Sequence, residues 1–450
     1  MIVATIGKMT GDVMKATIYM PIVLIALSSL VMYFLATEIL GKEYGWIGPL
    51  LPLSFWFLEA HPHTLMATVW VPLFYHTLIR FEKNPSLKNA VPIALSWGLA
   101  GLTHVLGTFG IASIILMYFT LKRRMRHLVL ILGIGTTIQM LFWFPLIFIY
   151  KAQTPNPYQK LVMGYYDILM FTQDFFQIVF KNILAPLILL GTYTSLKEEL
   201  RNVIVSSFLG LYLLGVLFIA IGGPLIAYKI HLYKFGFGSL LVLAGLKRII
   251  STRPRIIPSI AIMLLALNAM TIMDYSSSTW VINGYSDFKF KNLQSWILSN
   301  TKPDDVFLSS YESSFMIFSI SGRKTVLFRR THASPFVDYD NRSAEIIVAL
   351  KGRNISESLR ILRKYHVKYI YIDDVSRRDP LWVPIKYRRF LEKRGVKCKV
   401  ELVRYDPADP KSIRIQACVV DFSISNELRR YLIQVFRDNE KVIYKVVYPE

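Results

Sequence analysis

A short polar segment between two apolar stretches holds the residues best suited to chemistry. Glu59, His61 and His63 lie within five residues of one another, and Pro62 separates the two histidines. Imidazole nitrogens and a carboxylate can bind a divalent cation such as Mg²⁺ or Mn²⁺, or transfer protons near neutral pH. We therefore consider Glu59 and His61 as catalytic candidates and all three residues as metal ligands. The same residues also fit a polar turn in which Pro62 ends one helix before the next begins.

Two further ionisable residues interrupt apolar stretches. His104 divides a long apolar run, and Lys234 lies in an otherwise apolar segment. An ionisable side chain at membrane depth is costly, which makes both residues candidates for substrate binding. Lys234 can neutralise a phosphate group, and His104 can line a cavity. Alternatively, the Lys234 ammonium extends to the lipid headgroups, and His104 satisfies backbone groups at a helix break.

A long polar connection supplies the last candidates. Residues 150–178 separate two apolar runs and contain Tyr165 and Tyr166, with Asp167 and Asp174 nearby. A connection of this length exceeds the usual upper range of about 12–15 residues, and such loops are often functional. Aromatic side chains suit a sugar or a lipid, so the two tyrosines are candidate substrate-binding residues. An amphipathic helix lying in the membrane interface explains the same residues equally well.

Most of the elements that position these residues are apolar runs. The chain has 450 residues, of which 53% are hydrophobic, more than the roughly 45–50% typical of soluble domains. A spanning helix needs about 20 mostly apolar residues, and several of the runs are short, which predicts tilted or broken helices. We predict a polytopic α-helical membrane bundle of about ten helices, at residues 16–40, 46–58, 64–79, 89–104, 105–121, 128–149, 179–196, 203–222, 232–246 and 256–273.

The composition changes near Asp274. Residues 1–274 contain only 10 of the 30 acidic residues, and residues 275–450 contain the other 20. This division predicts two domains, a transmembrane helical domain at 1–274 and a soluble α/β domain at 275–450.

The net charge of +22 does not indicate a nucleic-acid-binding protein, because the basic residues form no single stripe. In the first domain they gather in the gaps between apolar runs, as in residues 122–126 and 247–255. Short cytoplasmic loops carry such an excess of lysine and arginine. Alternation from these gaps places Glu59, His104, Lys234 and residues 275–450 outside the cytoplasmic membrane, and it places the N-terminus outside as well.

In residues 275–450, short strands alternate with helices, which indicates a mixed or parallel sheet. We predict strands at 306–308, 324–328, 367–372, 397–404, 413–420 and 442–448, and helices at 313–319, 341–350, 356–365, 387–394 and 426–437.

Several residues of this domain carry separate expectations. Ser356 with Ser358 can cap the helix at 356–365, and Asp338-Tyr339-Asp340 fits a turn or a helix start better than a catalytic pair. We interpret Arg323, Arg329 and Arg330 as solvated or headgroup-facing charges. Cys398 and Cys418 have no metal-ligand spacing and form either a disulfide or two buried thiols. Asn341-Arg342-Ser343 and Asn354-Ile355-Ser356 are N-glycosylation sequons, which support an outside location weakly.

Taken in order, four stretches resemble the GT-C superfamily of membrane glycosyltransferases, including archaeal-type membrane proteins labelled "6-pyruvoyl-tetrahydropterin synthase-related". They are Tyr33-Phe34-Leu35-Ala36 followed by Gly48-Pro49-Leu50-Leu51-Pro52-Leu53, the Glu59–His63 segment before Val71-Pro72-Leu73, His231-Leu232-Tyr233-Lys234-Phe235, and an outer-domain pattern at 300–305, 321–323, 365–372 and 442–444.

This resemblance implies transfer of a sugar from a polyprenyl-phosphate donor at the outer face of the cytoplasmic membrane. It aligns Lys234 with a position that binds the lipid phosphate. The family's catalytic aspartate lies in a loop after the first helix, and 1–274 has no matching Asp-x-Asp outside the membrane. We therefore expect the first helix and that loop to lie upstream of Met1. The alternatives are a non-catalytic polyprenyl-lipid-binding or assembly protein and, less favoured for want of an inverted repeat, a transporter.

Overall fold

The computed structural model describes residues 13–51, 62–151, 165–180, 184–221, 229–277, 290–330, 337–404 and 414–449. The chain forms two compact units. The helical unit comprises Met1–Ile149 and Pro157–Ile282, and the α/β unit comprises Tyr150–Asn156 and Asn283–Glu450.

The helical unit consists of helices whose ends coincide with polar or proline-containing breaks. Its described α-helices are α1 (Val13–Leu40), α2 (Pro62–Leu65), α3 (Val71–Lys83), α4 (Leu87–Thr103), α5 (Val105–Leu121), α6 (Met125–Phe144), α7 (Tyr165–Phe180), α8 (Ala185–Ser195), α9 (Arg201–Ala220), α10 (Lys234–Thr252) and α11 (Ile257–Ser277). Three 3₁₀ segments, Lys42–Leu50, Lys229–Tyr233 and Pro254–Ile256, and two π segments, Met66–Trp70 and Pro145–Ile149, connect or extend them.

Four described helical segments are long and apolar enough to cross a membrane, namely Ile22–Leu40, Met125–Ile149, Arg201–Ala220 and Lys234–Thr252. Leu106–Leu121 and Pro254–Met270 are shorter apolar helices. At 1.5 Å rise per residue, about 20 residues match the hydrocarbon thickness. The protein therefore has transmembrane helices. The predicted number of ten is not established, since only four described segments are both long and apolar enough.

The helix predicted at 46–58 is wrong in its described part. Lys42–Leu50 is a 3₁₀ helix packed on α1. Pro49 lacks a backbone N–H, and Gly48 lies so close to α1 that an added Cβ would be 2.1 Å from the carbonyl oxygen of Met32. The remainder, Pro52–Leu58, lies outside the described residues.

The connection predicted at 150–178 is also partly wrong, because its second half is α7. Phe171 and Phe175 are buried on α7, and both rings pack against Tyr212 of α9. The expectation of an amphipathic helix is the nearer of the two alternatives. The helix predicted at 179–196 has the wrong bounds. Its first residues belong to the end of α7 at Phe180, and α8 begins only at Ala185, immediately before Pro186.

Helix α10 is central to the helical unit. All of its residues from Phe235 to Leu246 are buried, so it is apolar on every face. It approaches α8 closely, because a Cβ at Gly191 would lie 1.8 Å from the carbonyl oxygen of Leu241, and one at Gly245 would lie 2.3 Å from that of Leu187. Only glycine permits this approach.

The α/β unit contains two sheets. Its described strands are β1 (Val306–Leu308), β2 (Lys324–Thr325), β3 (Val367–Ile372), β4 (Leu381–Pro384), β5 (Lys399–Arg404), β6 (Arg414–Val420), β7 (Leu432–Asp438) and β8 (Lys441–Val446). The first sheet has the order β2-β1-β3-β8-β7, with β1 parallel to both β2 and β3 and the other pairs antiparallel. The second is the antiparallel sheet β4-β6-β5.

The helices of the α/β unit cover these sheets. They are α12 (Lys291–Asn300), α13 (Tyr311–Ser321), α14 (Tyr339–Lys351), α15 (Ile355–Lys364), α16 (Asp374–Arg378), α17 (Arg388–Glu392) and α18 (Asn426–Arg429). Asp338 caps α14, because its carboxylate accepts a 3.0 Å hydrogen bond from the Asn341 N–H. The helix-start interpretation of Asp338-Tyr339-Asp340 is therefore confirmed.

Two predictions in this unit are wrong. The helix expected at 426–437 stops at Arg429, and Leu432–Asp438 forms β7, which pairs with β8 through a turn in which Asn439 has φ 53°. The cap of α15 is Asn354, whose side chain accepts a 3.2 Å bond from the Glu357 N–H, whereas Ser358 is buried.

The interpretation of the arginines as solvated charges is wrong as well. Arg323 is 8% exposed, and its guanidinium donates to the Thr301 hydroxyl at 2.8 Å. Arg330 is 9% exposed, lies 3.7 Å above the Trp382 ring and forms an ion pair with Asp340. Buried cations need such partners, because desolvation is otherwise too costly.

Arg329 is half-buried. Its Nε donates to both carboxylate oxygens of Glu312, at 2.8 and 2.7 Å. Cys398 and Cys418, left open by the sequence, form a disulfide with a Cα–Cα distance of 5.3 Å.

Candidate functional site

The break between α4 and α5 is a single extended residue, His104. Its backbone has φ −155° and ψ 138°, and its Nδ1 accepts a 3.2 Å hydrogen bond from the Leu106 N–H. The imidazole therefore acts as the N-cap of α5 and satisfies a backbone donor that the helix start leaves open. Because Nδ1 accepts this bond, the proton of a neutral ring is on Nε2. The side chain is half-buried.

Side chains from neighbouring helices fix this break in position. Trp97 on α4 donates from its indole N–H to the carbonyl oxygen of Thr108 on α5, at 2.8 Å. The buried amide of Gln139 on α6 donates in turn to the carbonyl oxygen of Trp97, at 3.2 Å. These bonds hold α4, α5 and α6 around His104, which is why two apolar helices can meet at a sharp polar corner.

Tyr233 connects the start of α5 to the start of α10. Its buried hydroxyl donates a 2.6 Å hydrogen bond to the carbonyl oxygen of Leu106. The tyrosine ring passes so near α5 that a Cβ at Gly110 would lie 2.2 Å from it. The 3₁₀ segment Lys229–Tyr233 is thereby anchored beside the His104 corner.

Lys234 follows Tyr233 and is the first residue of α10. Its side chain is half-buried, and the next residues of the helix are fully buried. Gly236, two residues further, packs against Val71 of α3, because a Cβ there would be 2.5 Å from the valine side chain. Across the part of the chain that the structure describes, no carboxylate lies within 4.0 Å of the Lys234 ammonium. Such a cation is suited to receive an anionic group of a ligand.

The structure thus brings two of the predicted residues to neighbouring positions. His104 is two residues before Leu106, and Lys234 is one residue after Tyr233, so the hydrogen bond from the Tyr233 side chain to the Leu106 carbonyl oxygen joins the two segments that carry them.

The other candidates are only partly described. Glu59 and His61 lie outside the described residues. The backbone of His63 is in α2, and Tyr165 and Tyr166 begin α7, but the side chains of all three also lie outside. Their roles stay predictions.

A metal centre is likewise a prediction that involves Glu59, His61 and His63. Within the described ranges, no group of three histidine, cysteine, aspartate or glutamate side chains could hold a metal ion.

One polar cluster was missed by the sequence analysis. The Glu82 carboxylate, 9% exposed, accepts from the Lys122 ammonium at 2.5 Å, from the Asn202 amide at 3.3 Å and from the Tyr118 hydroxyl. It joins the end of α3, the end of α5 and the start of α9. The sequence did contain a sign of this cluster, because acidic residues are rare before Asp274 and an isolated glutamate beside an apolar run needs a partner.

No model of a known protein family matches this sequence, and no curated protein sequence matches it either. Solved structures do match. ArnT from Cupriavidus metallidurans in the apo state has a TM-score of 0.54 at 11% identity, covering 100% of this chain and 88% of ArnT. The form of ArnT bound to undecaprenyl phosphate has a TM-score of 0.51 at 10% identity, with the same coverage of both chains.

Two larger glycosyltransferases match over part of their length. Arabinofuranosyltransferase AftD from Mycobacteria has a TM-score of 0.50 at 13% identity, covering 99% of this chain and 35% of AftD. The Archaeoglobus fulgidus oligosaccharyltransferase has a TM-score of 0.44 at 15% identity, covering 89% of this chain. This chain spans 61% of that protein's length. ArnT and AftD show what the sequence resemblance predicted, which is that the chain has the fold of the GT-C membrane glycosyltransferases.

Proposed function

We propose that this protein is a glycosyltransferase that transfers a sugar from a polyprenyl-phosphate donor to an acceptor at the outer face of the cytoplasmic membrane. The observation that carries the proposal is Lys234, a half-buried cation at the start of α10 without a carboxylate partner among the described residues. A phosphate at the membrane boundary is the anion that such a site would meet. The ArnT structure bound to undecaprenyl phosphate shares the fold and supports this class of donor.

The reaction would form a bond between an acceptor oxygen and the anomeric carbon of the sugar, and it would break the bond from that carbon to the phosphate oxygen. Negative charge then develops on the leaving phosphate. A fixed cation stabilises this charge more than the ground state, and the Lys234 ammonium would have that role. The acceptor proton needs a base, and among the chain's residues Glu59 and His61 stay the candidates.

The cation hypothesis belongs to the same proposal. Glu59, His61 and His63 would hold Mg²⁺ or Mn²⁺, which would supply charge neutralisation beside the phosphate. His104 would position rather than react, since its Nδ1 is engaged as the cap of α5. Any contact it makes with substrate would use Nε2.

The proposed outer location is supported by the Cys398–Cys418 disulfide in the α/β unit, because such bonds persist in oxidising compartments. The lysines and arginines at residues 122–126 and 247–255 would then face the cytoplasm.

The test uses membranes containing the full-length protein and radiolabelled polyprenyl-phosphate sugars. We expect Lys234→Ala to reduce transfer by about 100-fold, because a charge-assisted contact to a developing charge contributes about 3 kcal/mol. Lys247→Ala is the matched control, since Lys247 is on the same helix but pairs with Glu198 at 3.5 Å. Equal activity of the two variants would remove Lys234 from the site.

Two further experiments test the role of Glu59 and distinguish a transferase from a lipid-binding protein. Glu59→Gln should reduce transfer. If Glu59 binds the cation, added EDTA should reduce transfer by the wild type but leave the residual activity of Glu59→Gln unchanged. Full activity of Glu59→Gln would exclude it. If the wild type retains labelled lipid but never transfers its sugar to any acceptor, the protein is a lipid-binding or assembly protein instead.

A further inference from the structure

A second feature of the helical unit lies at the opposite end of α10 from Lys234. Here α8, α10 and α11 enclose a cavity of about 490 Å³ that is lined mainly by Leu187, Leu190, Ile260 and Met263 with other leucine and isoleucine side chains. This volume lies within the roughly 300–1,000 Å³ of ligand sites. The cavity shares no residue with the proposed donor site.

The polar lining of this cavity is basic. Arg248 and Arg253 line it near the point where α10 ends at Thr252. Both side chains are exposed. In the described ranges neither guanidinium has a carboxylate within 4.0 Å, and the nearby Glu198 pairs with Lys247. Two arginines therefore have their charge available for an anion.

The cavity lies between apolar helices, so the molecules that can reach it are membrane lipids. Helix α10 is long and apolar enough to cross a membrane. Arg248 is close to its end, and Arg253 directly follows its last residue, Thr252, which is where a spanning helix meets the lipid headgroups. An apolar cavity open between such helices exposes its leucine and isoleucine walls to lipid chains. Basic pockets between transmembrane helices bind phosphate-bearing lipid headgroups.

We propose that this cavity binds one anionic phospholipid, with an acyl chain against Leu187, Leu190, Ile260 and Met263 and the phosphate between Arg248 and Arg253. The site is separate from the donor site and holds its lipid without reaction. Bidentate arginine contacts to phosphate explain why two guanidinium groups border an otherwise apolar space.

The test is lipid retention by the full-length protein in nanodiscs that contain phosphatidylglycerol and phosphatidylcholine in equal amounts. After transfer to detergent, native mass spectrometry counts the lipids that stay bound. We expect the wild type to retain one phosphatidylglycerol. The double variant R248Q/R253Q should bind it about 25-fold more weakly, since each basic residue at the surface contributes roughly a factor of five.

Two variants separate the cavity from general surface charge. Arg255→Gln is the matched control, because Arg255 is an exposed arginine of the same segment that does not line the cavity, and it should retain the lipid as the wild type does. Leu190→Trp fills the cavity but keeps both arginines, and it should lose the lipid.

Four results would overturn the proposal. They are equal retention of phosphatidylcholine, equal loss in Arg255→Gln and R248Q/R253Q, undiminished retention in Leu190→Trp, and retention of added undecaprenyl phosphate in place of phosphatidylglycerol. Thermal unfolding of each purified variant identifies one that is misfolded, and Leu190→Phe then replaces Leu190→Trp. Sugar transfer measured on the same samples is expected to be unchanged in R248Q/R253Q, so failure here is distinct from failure of the proposed function.

Discussion

The hydroxyl of Tyr233 donates a 2.6 Å hydrogen bond to the carbonyl oxygen of Leu106, 127 residues earlier in the chain. This bond joins the corner at His104 to the residue that precedes Lys234. The two candidate residues therefore depend on each other's backbone position, although each lies in its own apolar stretch of sequence. Gly110 completes the arrangement, because any side chain there would occupy the space of the tyrosine ring.

Replacing Tyr233 by Phe should lower both stability and donor binding. The substitution removes one buried hydrogen bond and leaves the carbonyl oxygen of Leu106 without this donor, which costs about 1–2 kcal/mol. The measurements are the thermal unfolding midpoint in detergent and the affinity for a polyprenyl phosphate. Tyr193→Phe is the control, since Tyr193 is 60% exposed and its hydroxyl accepts a hydrogen bond from the exposed Lys197 ammonium. Identical midpoints for both variants would show that the Tyr233 hydroxyl contributes nothing.

The partly buried pair of Glu82 and Lys122, with side chains 9% and 25% exposed, provides a second prediction. Glu82→Ala should destabilise the helical unit by about 2 kcal/mol, because it leaves a partly desolvated ammonium without its carboxylate. The exposed pair Lys247–Glu198, with side chains 43% and 41% exposed, is the control and should contribute less than about 1 kcal/mol.

A double-mutant cycle measures both pairs by unfolding in detergent, with Glu82→Ala, Lys122→Met and their combination. The combined variant should be more stable than Glu82→Ala alone. A coupling energy for Glu82 and Lys122 no larger than that of the exposed pair would contradict a structural role for this cluster.

Local sequence patterns determined some elements well. Helix α5 and strands β1 and β3 have the bounds expected from the sequence, because each is an apolar run between charged or turn-forming residues. Helix α7 was one of two alternatives that the sequence left open. Phe171 and Phe175 have the i, i+4 spacing of one helix face, but the sequence does not show whether that face meets lipid or protein, and their partners Tyr212 and Phe208 lie on α9.

Long-range partners determined the rest. Arg330 is buried because Trp382, 52 residues later, accepts from its guanidinium at 2.8 Å and stacks beneath it. No local pattern around Arg330 distinguishes this from a solvated charge. In the same way, the sequence identified Lys234 as a possible phosphate ligand but not Tyr233, since a tyrosine beside an apolar run is common and its partner lies in another helix.

The contribution of Asp379 to the stability of the α/β unit should fall as the pH rises above the ordinary aspartate range. Burial raises the pKa of the Asp379 carboxyl above its ordinary value of 3.8, although the 2.9 Å bond from the Glu312 N–H opposes this effect. The folded state therefore binds a proton more tightly than the unfolded state. The Asp379 contribution falls as the pH rises through the interval from 3.8 to the raised pKa, and this contribution is constant above that.

Asp379→Asn should abolish this fall while keeping an acceptor for the Glu312 N–H. The measurement is the urea midpoint of the α/β unit in the full-length protein, followed by near-ultraviolet circular dichroism between about pH 3.5 and about pH 6.5. Asp304→Asn is a control of opposite sign, because the 2.7 Å pair with Lys324 lowers the pKa of Asp304, so its contribution is lost as the pH falls. Parallel pH profiles of the wild type and Asp379→Asn would refute the assignment.

The proposed outer location of the α/β unit predicts that one sequon carries a glycan and the other does not. Asn354 and Ser356 are both exposed. The Asn354 side-chain oxygen caps α15, and its Nδ2 donates no hydrogen bond to any described residue. A glycan on Nδ2 therefore leaves the cap intact. In the other sequon, Asn341-Arg342-Ser343, the serine is 0% exposed. This segment is packed into the folded unit, and we expect no glycan on Asn341.

Expression in a host with an oligosaccharyltransferase in its secretory membrane tests this, with intact mass measured on the folded, detergent-extracted protein. Ser356→Ala should remove the glycan and keep the Asn354 cap, whereas Ser343→Ala should leave the glycan in place. Protease accessibility on intact vesicles reports the side of the membrane independently. A protected α/β unit that lacks a glycan would contradict the choice of Asn354. A protease-accessible unit would contradict the outer location itself, because the oligosaccharyltransferase acts in the protected interior of these vesicles and can add a glycan only where it and the sequon share a compartment.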